Sequence, residues 1–440
     1  MRDEKTPLRD RSHAAARGRV FWLCCAACYL LIEYALYAAM PAARHVTPDS
    51  GAYIDMAKAL AASFRMDVGL RLPAYPLLLS VPLRFGADLV PAMVCIQALL
   101  GLCCAACAAR VAAVFVPGYA KAVFFLTLLN PYGLLSAQLV LPETFFAAVL
   151  AAQALTLVTA YEKRSLAAAL LSGALTAVLA LTRANAVVLL AGYPFLVAVA
   201  APQKGRRSGF AGDAARCGAH LLAAALVLAP WLGSVHARTG QVSLISPQYS
   251  QFAKYEAFRY LDMLLGESSE SDAIAQVNRR ICAVAAADDP ACPDAPPARL
   301  YDLASERFFS ILGSYGTARL ARGLLKSMGS YFLSTGASLV AYCLDIRHAF
   351  MSLAGALLLC FVAVVRLFDV LGAYYAVKER RWSLLAVAAI YIGLYFLPIG
   401  FFGMARYRYP VDFVFVILAC YGYAACMARR PLLPFGRAAS

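Results

Sequence analysis

The chain has 440 residues, of which 62% are hydrophobic and only 15% are charged. That balance excludes an ordinary soluble globular domain and predicts a polytopic membrane protein. The formal net charge of +15 would suggest nucleic-acid binding in a soluble chain, but the basic residues lie mostly beside apolar segments, as membrane topology requires. We therefore expect membrane lipid, and no nucleic acid, as a partner.

The first element along the chain is a basic tail followed by a long apolar run. Residues 1–19 carry six Lys and Arg residues, and the stretch from about Val20 to Met40 is almost wholly apolar. Because cationic residues stay on the cytoplasmic side of a span, we expect a cytoplasmic tail. The apolar run is too long for a signal peptide, so we interpret it as a retained first span.

Hydropathy predicts ten spans in all, with the other nine near 86–116, 121–138, 142–160, 166–182, 184–202, 219–236, 348–376, 382–403 and 410–428. Basic clusters favour one cytoplasmic face, and they lie at 162–164, 204–216, 378–381 and 429–430. We expect an N-terminal transmembrane module over 20–236, C-terminal transmembrane helices over 348–428 and a cytoplasmic tail over 429–440. The segment 325–345 would break the alternation if it crossed, so we interpret it as interfacial or re-entrant.

Two longer segments fall on the opposite face. One is the first external loop, 44–76, and the other is the mixed-charge segment 237–347 between the seventh and eighth spans, which we expect to form a small helical domain. An outer compartment permits a disulfide between Cys282 and Cys292, but spacing alone leaves free thiols as the alternative. Most other cysteines lie in apolar runs and the five histidines are scattered, so the sequence predicts no metal site.

The first external loop contains the leading candidate for chemistry. Its segment 47–58 begins like a helix, with Asp49 or Ser50 as the N-cap. On that helix Asp49 and Tyr53 share a face, whereas Asp55 points about 240° away from Asp49. Only one of the two carboxylates is therefore expected to face a site, and simple helix capping is the alternative role of Asp49.

Further charged residues lie at the outer ends of apolar stretches. Each has an alternative to a functional role. Arg71 could be an interface arginine whose charged end reaches water, and Glu143 could be a carboxylate that stabilises a helix N-terminus. Arg183 could simply mark a turn. Arg406 and Arg408 lie on the outer side, against the usual distribution of basic residues, so another reason is needed. Anion binding is one such reason, and contact with a lipid headgroup is the other.

The predicted topology places these charged residues on one face of the membrane. A carboxylate near several guanidinium groups suits a reaction in which a hydroxyl or amine is deprotonated while a phosphate leaving group is held. That convergence is the strongest functional signal in the charge pattern.

Short motifs along the chain, taken together, resemble a known family. They are Asp-Ser-x-x-Tyr from Asp49, Arg-x-Pro-x-Tyr-Pro from Arg71, Pro-Glu-Thr-Phe-Phe from Pro142, a Thr-Arg turn at Arg183, Pro230-Trp231 and Ala-Arg-Tyr-Arg-x-Pro from Ala405. Their order resembles the GT-C glycosyltransferases. More narrowly, it is similar to the bacterial relatives of protein O-mannosyltransferases and of the lipid A aminoarabinose transferase.

The resemblance implies an all-α polytopic fold of the GT-C type and a sugar transfer reaction at the outer face of a bacterial inner membrane. The donor it implies is a polyprenyl-phosphate sugar, and the acceptor is an envelope lipid, glycan or protein. Asp49 would be the general base of an inverting transfer. The remaining roles are donor-phosphate binding for Arg71, Arg183, Arg406 and Arg408, and positioning of acceptor or sugar for Glu143, Tyr53 and Asp55.

Two departures from the family pattern bear on the substrate. Asp49-Ser50 stands where relatives have an Asp-Glu pair, and the chain lacks their His-Pro-Pro or Lys-Pro-Pro run. These departures leave a divalent metal without support and weigh against protein mannosylation.

Two other classes of protein remain as alternatives. A secondary transporter or a flippase for an envelope precursor also has about ten spans with buried charges, but its key polar groups are expected near the midplane in repeated halves. The chain has no convincing repeat, and its unusual charges gather at one face. A non-catalytic membrane scaffold is the third hypothesis, and it requires Asp49 to be only a helix cap.

Overall fold

The computed structural model describes residues 6–63, 71–200, 210–266, 270–285, 289, 292, 295–344, 348–400 and 402–429. Every regular element within those ranges is a helix. We call residues 237–347 the external segment, after their expected position. The helices before it are α1 (Thr6–Ala39), α2 (Ser50–Ser63), α3 (Ala74–Arg84), α4 (Leu89–Phe115), α5 (Ala120–Leu128), α6 (Pro131–Ala137), α7 (Glu143–Lys163), α8 (Leu166–Ala180), α9 (Gly192–Ala200) and α10 (Phe210–Thr239).

The residues described after α10 form ten more α-helices. The external segment forms α11 (Pro247–Leu265), α12 (Glu270–Ala285), α13 (Pro297–Glu306), α14 (Phe308–Ser314), α15 (Thr317–Leu333) and α16 (Ala337–Leu344). The C-terminal part forms α17 (His348–Lys378), α18 (Trp382–Ala388), α19 (Ala405–Arg408) and α20 (Asp412–Ala428). A 3₁₀ segment, Ala184–Ala191, precedes α9, and a π-helical segment, Ala389–Leu394, continues α18.

Local sequence explains where several of these helices begin. A side-chain oxygen accepts a hydrogen bond from a backbone N–H two or three residues further on at Asp88, Asn130, Ser165 and Ser246. Such caps satisfy N–H groups that have no partner inside the helix. They fix the start of α4, α6, α8 and α11.

The described residues contain six helices that are long and apolar enough to cross a membrane: Val20–Ala39, Leu89–Phe115, Glu143–Lys163, Ala211–Thr239, Leu358–Lys378 and Ala405–Ala428. A seventh span results if the pair Pro117–Leu128 and Pro131–Ala137, bent by 51°, is counted as one. The protein is therefore a multi-pass membrane protein, as the composition predicts.

The predicted count of ten spans is not confirmed. Three of the predicted segments form shorter apolar helices, Leu166–Ala180, Ala184–Ala200 and Trp382–Leu394. At 1.5 Å per residue, a helix of that length falls short of a hydrocarbon core about 30 Å thick. The first two of these segments are separated at Arg183, where a turn is predicted and the backbone is extended. The segment 325–345 consists of the end of α15 and α16, which are not among the long apolar helices.

The membrane helices pack around α7 and α20, which are the most buried of the long apolar helices. Glycine allows the closest helix contacts. A Cβ atom on Gly372 of α17 would lie 2.1 Å from the backbone oxygen of Leu418 in α20, and one on Gly422 would lie 2.2 Å from that of Phe368. Small residues of this kind let membrane helices approach until their backbones touch.

The first external loop is attached to the helix bundle by two backbone hydrogen bonds. The N–H of Ala74 donates to the carbonyl of Leu181 at 3.0 Å, and the N–H of Val140 donates to the carbonyl of His45 at 2.9 Å. The first bond joins the end of the loop to the turn after α8, and the second joins its beginning to the turn before α7. The turns that carry the candidate side chains are thereby brought together.

The external segment has a hydrophobic core of its own. Phe258 of α11, Ile281 of α12, Leu303 of α13 and Ile311 of α14 are buried in one cluster. Cys282 and Cys292 form a disulfide in the structure, with their Cα atoms 5.3 Å apart. The disulfide joins Cys282, near the end of α12, to Cys292, which is itself buried in this cluster.

Candidate active site

Asp49 lies at the start of α2 and pairs with two arginines. Its Oδ1 accepts a hydrogen bond from Nη2 of Arg71 at 3.2 Å, and its Oδ2 accepts one from Nη1 of Arg406 at 2.7 Å. The turn before α2 is closed instead by Ser50, whose hydroxyl oxygen accepts a hydrogen bond from the N–H of Thr47 at 2.9 Å. Both oxygens of the Asp49 carboxylate therefore face cations, which helix capping does not explain.

Glu143 is the first residue of α7 and is only 1% exposed. Its Oε1 accepts hydrogen bonds from Nη2 of Arg183 at 2.7 Å and from Nε of Arg406. Its Oε2 is buried and has no hydrogen-bond partner among the described residues. A buried carboxylate needs such cationic partners, because an isolated charge away from water is very unfavourable.

Arg406 connects the two carboxylates. We call Asp49, Arg71, Glu143, Arg183 and Arg406 the arginine–carboxylate cluster. The residues come from four separate parts of the chain, so only the tertiary fold assembles them. When all five groups are ionised, the cluster has three positive and two negative charges, which leaves an excess positive charge that suits an anionic ligand.

The cluster holds Asp49 in its ionised form. Burial on its own would raise the pKa of Asp49, but the charge and hydrogen bond of Arg406, followed by those of Arg71, outweigh burial and hold this pKa below its usual value. A proton acceptor is therefore available at neutral pH, although it is a weak base while both arginines remain in contact.

Tyr53 belongs to the wall of the cluster. Its ring is 6% exposed, the guanidinium carbon of Arg71 lies 4.7 Å from its centroid, and the ring of Tyr75 packs against it edge-on at 5.4 Å. Asp55 is exposed on the other face of α2, as the helical spacing predicts. The structure brings Tyr53 to the cluster and does not bring Asp55 there.

Arg408 also lies apart from the cluster. It is 4% exposed, its Nε donates to Oδ1 of Asp412 at 2.9 Å, and its Nη1 donates to the carbonyls of Tyr331 and Phe332 at 3.2 Å. Side chains two positions apart on a helix point in directions that differ by about 200°. Arg406 and Arg408 therefore leave the short helix α19 on nearly opposite sides, which the sequence analysis did not take into account.

Sequence reasoning missed the group that receives Arg408. Asp412 also accepts a hydrogen bond from the side chain of Asn130 at 2.9 Å, and Arg366 forms an ion pair with it at 3.5 Å. A carboxylate at the beginning of the last apolar helix was the signal that could have identified it, since charges within membrane helices rarely lack a partner. We call Arg366, Arg408, Asn130 and Asp412 the Asp412 hub.

The described residues contain no group of three or more His, Cys, Asp or Glu side chains that could hold a metal ion. In the cluster, one oxygen of Glu143 and both oxygens of Asp49 already contact guanidinium groups. The guanidinium groups of the arginine–carboxylate cluster are suited to binding an anion.

Comparison with solved structures finds the same fold in an oligosaccharyltransferase. The match to the archaeal oligosaccharyltransferase AglB from Archaeoglobus fulgidus, in complex with an inhibitory peptide and a dolichol-phosphate, has a TM-score of 0.55 and 15% identity, and it covers 93% of this chain and 51% of that one. A second structure of the Archaeoglobus fulgidus enzyme, with Zn and sulfate, matches with a TM-score of 0.51 and 16% identity over 94% of this chain and 52% of that one. The chain thus spans about half the length of the oligosaccharyltransferases it matches.

ArnT from Cupriavidus metallidurans, bound to undecaprenyl phosphate, gives a TM-score of 0.44 and 15% identity over 94% of this chain and 79% of that one. Comparison of the sequence with protein-family models and with curated proteins gives no match. The structural likeness shows the fold alone: this is an all-helical membrane protein that shares the fold of the Archaeoglobus fulgidus oligosaccharyltransferase. That fold agrees with the GT-C-like architecture that the sequence motifs imply.

Proposed function

We propose that this protein is a membrane glycosyltransferase that moves a sugar from a polyprenyl-phosphate donor to an envelope lipid, glycan or protein. The observation that carries the proposal is the arginine–carboxylate cluster, in which Arg406 joins Asp49 and Glu143. The fold, which this chain shares with an oligosaccharyltransferase, supports a role of this cluster in sugar transfer. We place the reaction at the outer face of a bacterial inner membrane, from the distribution of basic residues.

The proposed reaction is a single displacement with inversion at the sugar carbon. Asp49 takes the proton of the acceptor hydroxyl or amine, and the acceptor atom then bonds to the sugar carbon. The bond from that carbon to the phosphate oxygen breaks, and polyprenyl phosphate leaves with the electron pair. Arg71, Arg183 and Arg406 hold the charge that develops on the phosphate, and Glu143 with Tyr53 positions the sugar or acceptor.

The donor class is supported by both geometry and similarity. Guanidinium groups bind phosphate oxygens with two parallel hydrogen bonds, and the cluster has three of them for two carboxylates. The AglB structure was determined with a dolichol-phosphate, which is a lipid phosphate of the kind we assign to this site. A lipid-linked donor enters from the bilayer, while a polar acceptor arrives from water, so the site is needed at the interface.

A transporter or flippase is the competing hypothesis. Such proteins bind their substrate near the midplane, between broken helices. Glu143 is the first residue of α7, and Arg406 lies in α19, just before α20. Placement of the candidate side chains at helix ends favours a transferase.

The proposal is tested by sugar transfer in lipid nanodiscs. Purified protein is mixed with undecaprenyl phosphate carrying a radiolabelled hexose or pentose and with an envelope extract as acceptor. We expect Asp49→Asn to reduce transfer by about 10²-fold to 10⁴-fold, the usual contribution of a general base, and to leave binding of undecaprenyl phosphate nearly unchanged. We expect Arg406→Ala to weaken that binding.

The matched control is Asp55→Asn, which changes an exposed carboxylate on the same helix and should leave transfer unchanged. An Asp49→Asn variant that transfers sugar at the wild-type rate would contradict the assignment of the base. Donor movement across the bilayer without transfer would instead support the flippase.

A further inference from the structure

A row of aromatic rings leads from the external segment to the arginine–carboxylate cluster. The ring centroids of Tyr260 in α11 and Phe402 are 4.8 Å apart, and those of Phe402 and Tyr407 in α19 are 6.2 Å apart. The guanidinium carbon of Arg183 lies 5.1 Å from the centroid of the Tyr407 ring. We call Tyr260, Phe402 and Tyr407 the aromatic strip.

The strip differs from the aromatic core of the same protein in its exposure. Tyr391 and Tyr395, which pack inside the helix bundle, are 0% exposed, whereas all three rings of the strip are only partly buried. A ring that served only to fill the core would be covered on both faces. Partly open rings beside a charged cluster instead offer an apolar surface to a ligand.

A fourth aromatic residue links α11 to the same charges. Burial raises the pKa of Tyr249, the nearby Tyr407 raises it further, and Arg71, Arg183 and Arg406 act in the opposite direction. These interactions are consistent with a position of Tyr249 near Tyr407 and the arginines. The external segment thus contributes Tyr260 to the strip itself and Tyr249 to its surroundings.

We infer that the aromatic strip is a sugar-binding wall, against which the donor sugar packs while the arginines hold its phosphate. This inference rests on the proposed function and goes beyond it by assigning residues to sugar recognition. A sugar ring has an apolar face of C–H groups and an edge of hydroxyl groups. The strip provides aromatic surface for the face, and the unpartnered, buried Oε2 of Glu143 can accept a hydrogen bond from a hydroxyl at the edge.

The arrangement separates two tasks. Phosphate binding depends on arginines from the transmembrane module and from the turn before α20, and it does not depend on which sugar is attached. Contact with the sugar depends on Tyr407 and Phe402 and on α11 of the external segment. Loss of the strip should therefore reduce the affinity for a glycosylated carrier without reducing the affinity for the bare carrier.

The test is a pair of binding titrations on the full-length protein in nanodiscs. One probe is undecaprenyl phosphate, and the others are undecaprenyl phosphate carrying glucose, mannose, galactose or arabinose. We expect at least one glycosylated carrier to bind more tightly than the bare carrier. In Tyr407→Leu this advantage should fall by about twofold to tenfold, the typical range for one aromatic contact.

Two control variants define what the result means. Tyr407→Phe keeps the ring and should keep the advantage, and Phe309→Leu removes an aromatic ring that is 83% exposed in the external segment and should leave every titration unchanged. Equal affinity of the wild-type protein for bare and glycosylated carriers would overturn the inference. So would a Tyr407→Leu variant that weakens both kinds of carrier equally.

The controls also separate this inference from the proposed function. If undecaprenyl phosphate binds and its affinity depends on Arg406, the proposed function stands, whatever the strip does. If no carrier binds at all, the proposed function fails, and the sugar-binding wall fails with it.

Discussion

Arg406 has two of its nitrogen atoms in contact with carboxylates, Nε with Glu143 and Nη1 with Asp49. A guanidinium has five N–H groups, and these two contacts use two of them. If a bound phosphate replaces the contact with Asp49, this carboxylate loses the stronger of the two charges that stabilise its ionised form and becomes a better proton acceptor. In the proposed mechanism, Arg406 would then couple donor binding to activation of the base.

The same contacts predict how activity depends on pH. Because the pKa of Asp49 lies below its usual value, the free enzyme keeps this carboxylate ionised well below neutral pH. The usual value for an aspartate is about 3.9, so we expect no acid limb from Asp49 in kcat/KM between about pH 5 and pH 8. Transfer assays between about pH 5 and pH 8, with Asp55→Asn as the control, measure this pH dependence of kcat/KM. An acid limb near pH 6 that Asp55→Asn does not alter would contradict the assigned pKa direction.

The lowered pKa of Asp49 also has a consequence for the free energy of unfolding. A carboxyl group whose pKa is lowered in the folded protein stabilises that state above its unfolded pKa, and this contribution is lost as the pH falls through the folded pKa. Because the Asp49 side chain is 45% exposed, solvent screening keeps its contribution small.

At the scale of elements, α19 decides which arginine meets the site. Four residues form one helical turn, so Arg406 faces the cluster and Arg408 faces the Asp412 hub. The hub joins α17, α20 and the turn before α6, and Arg408 adds the backbone carbonyls at the end of α15. The position of Arg406 therefore depends on contacts made on the opposite side of its own helix.

The contact between α17 and α20 gives a prediction at the same scale. A methyl group at Gly372 would lie 2.1 Å from the backbone oxygen of Leu418, which is far too close and cannot be relieved by a side-chain movement. We expect Gly372→Ala to destabilise the protein by about 1–3 kcal/mol, the usual cost of overpacking. Thermal unfolding in detergent measures this as a lower Tm.

The control is Gly233→Ala in α10, where a Cβ atom has no neighbour within 4 Å. Alanine favours a helix over glycine by about 1 kcal/mol, so this variant should be neutral or slightly more stable. A Gly372→Ala variant with an unchanged Tm would show that the two helices can separate without cost.

For the whole molecule, the proposal requires the first loop and the external segment to share one side of the membrane. The basic clusters predict that this side is the outer one. We expect alkaline phosphatase, which is active only outside the cytoplasm, to be active when fused after Val242 and inactive when fused after Arg164. A fluorescent protein that matures only in the cytoplasm should give the opposite pattern, and activity at both positions would contradict the topology.

Much of the fold could be predicted because membrane insertion is governed by local composition. Apolar runs that end at charged residues identify α1, α4 and α7 directly, since about 20 apolar residues are needed to cross a bilayer. The number of spans could not be predicted in this way. Hydropathy identifies the apolar stretches on either side of Arg183 and the one that begins at Trp382, but it does not fix the length of the helix that each stretch forms.

Composition is enough to predict a polytopic membrane protein, and the motifs are enough to select Asp49, Arg71, Glu143, Arg183 and Arg406, together with Arg408, Tyr53 and Asp55. Those inferences need only composition, charge and residue order. Only packing brings these five side chains into one cluster, turns Arg408 and Asp55 away from it, and sets Tyr407 against Arg183 with Phe402 behind that ring. The physical reason is that a site of this kind is built from residues up to 357 positions apart, and only packing fixes which faces of their helices meet.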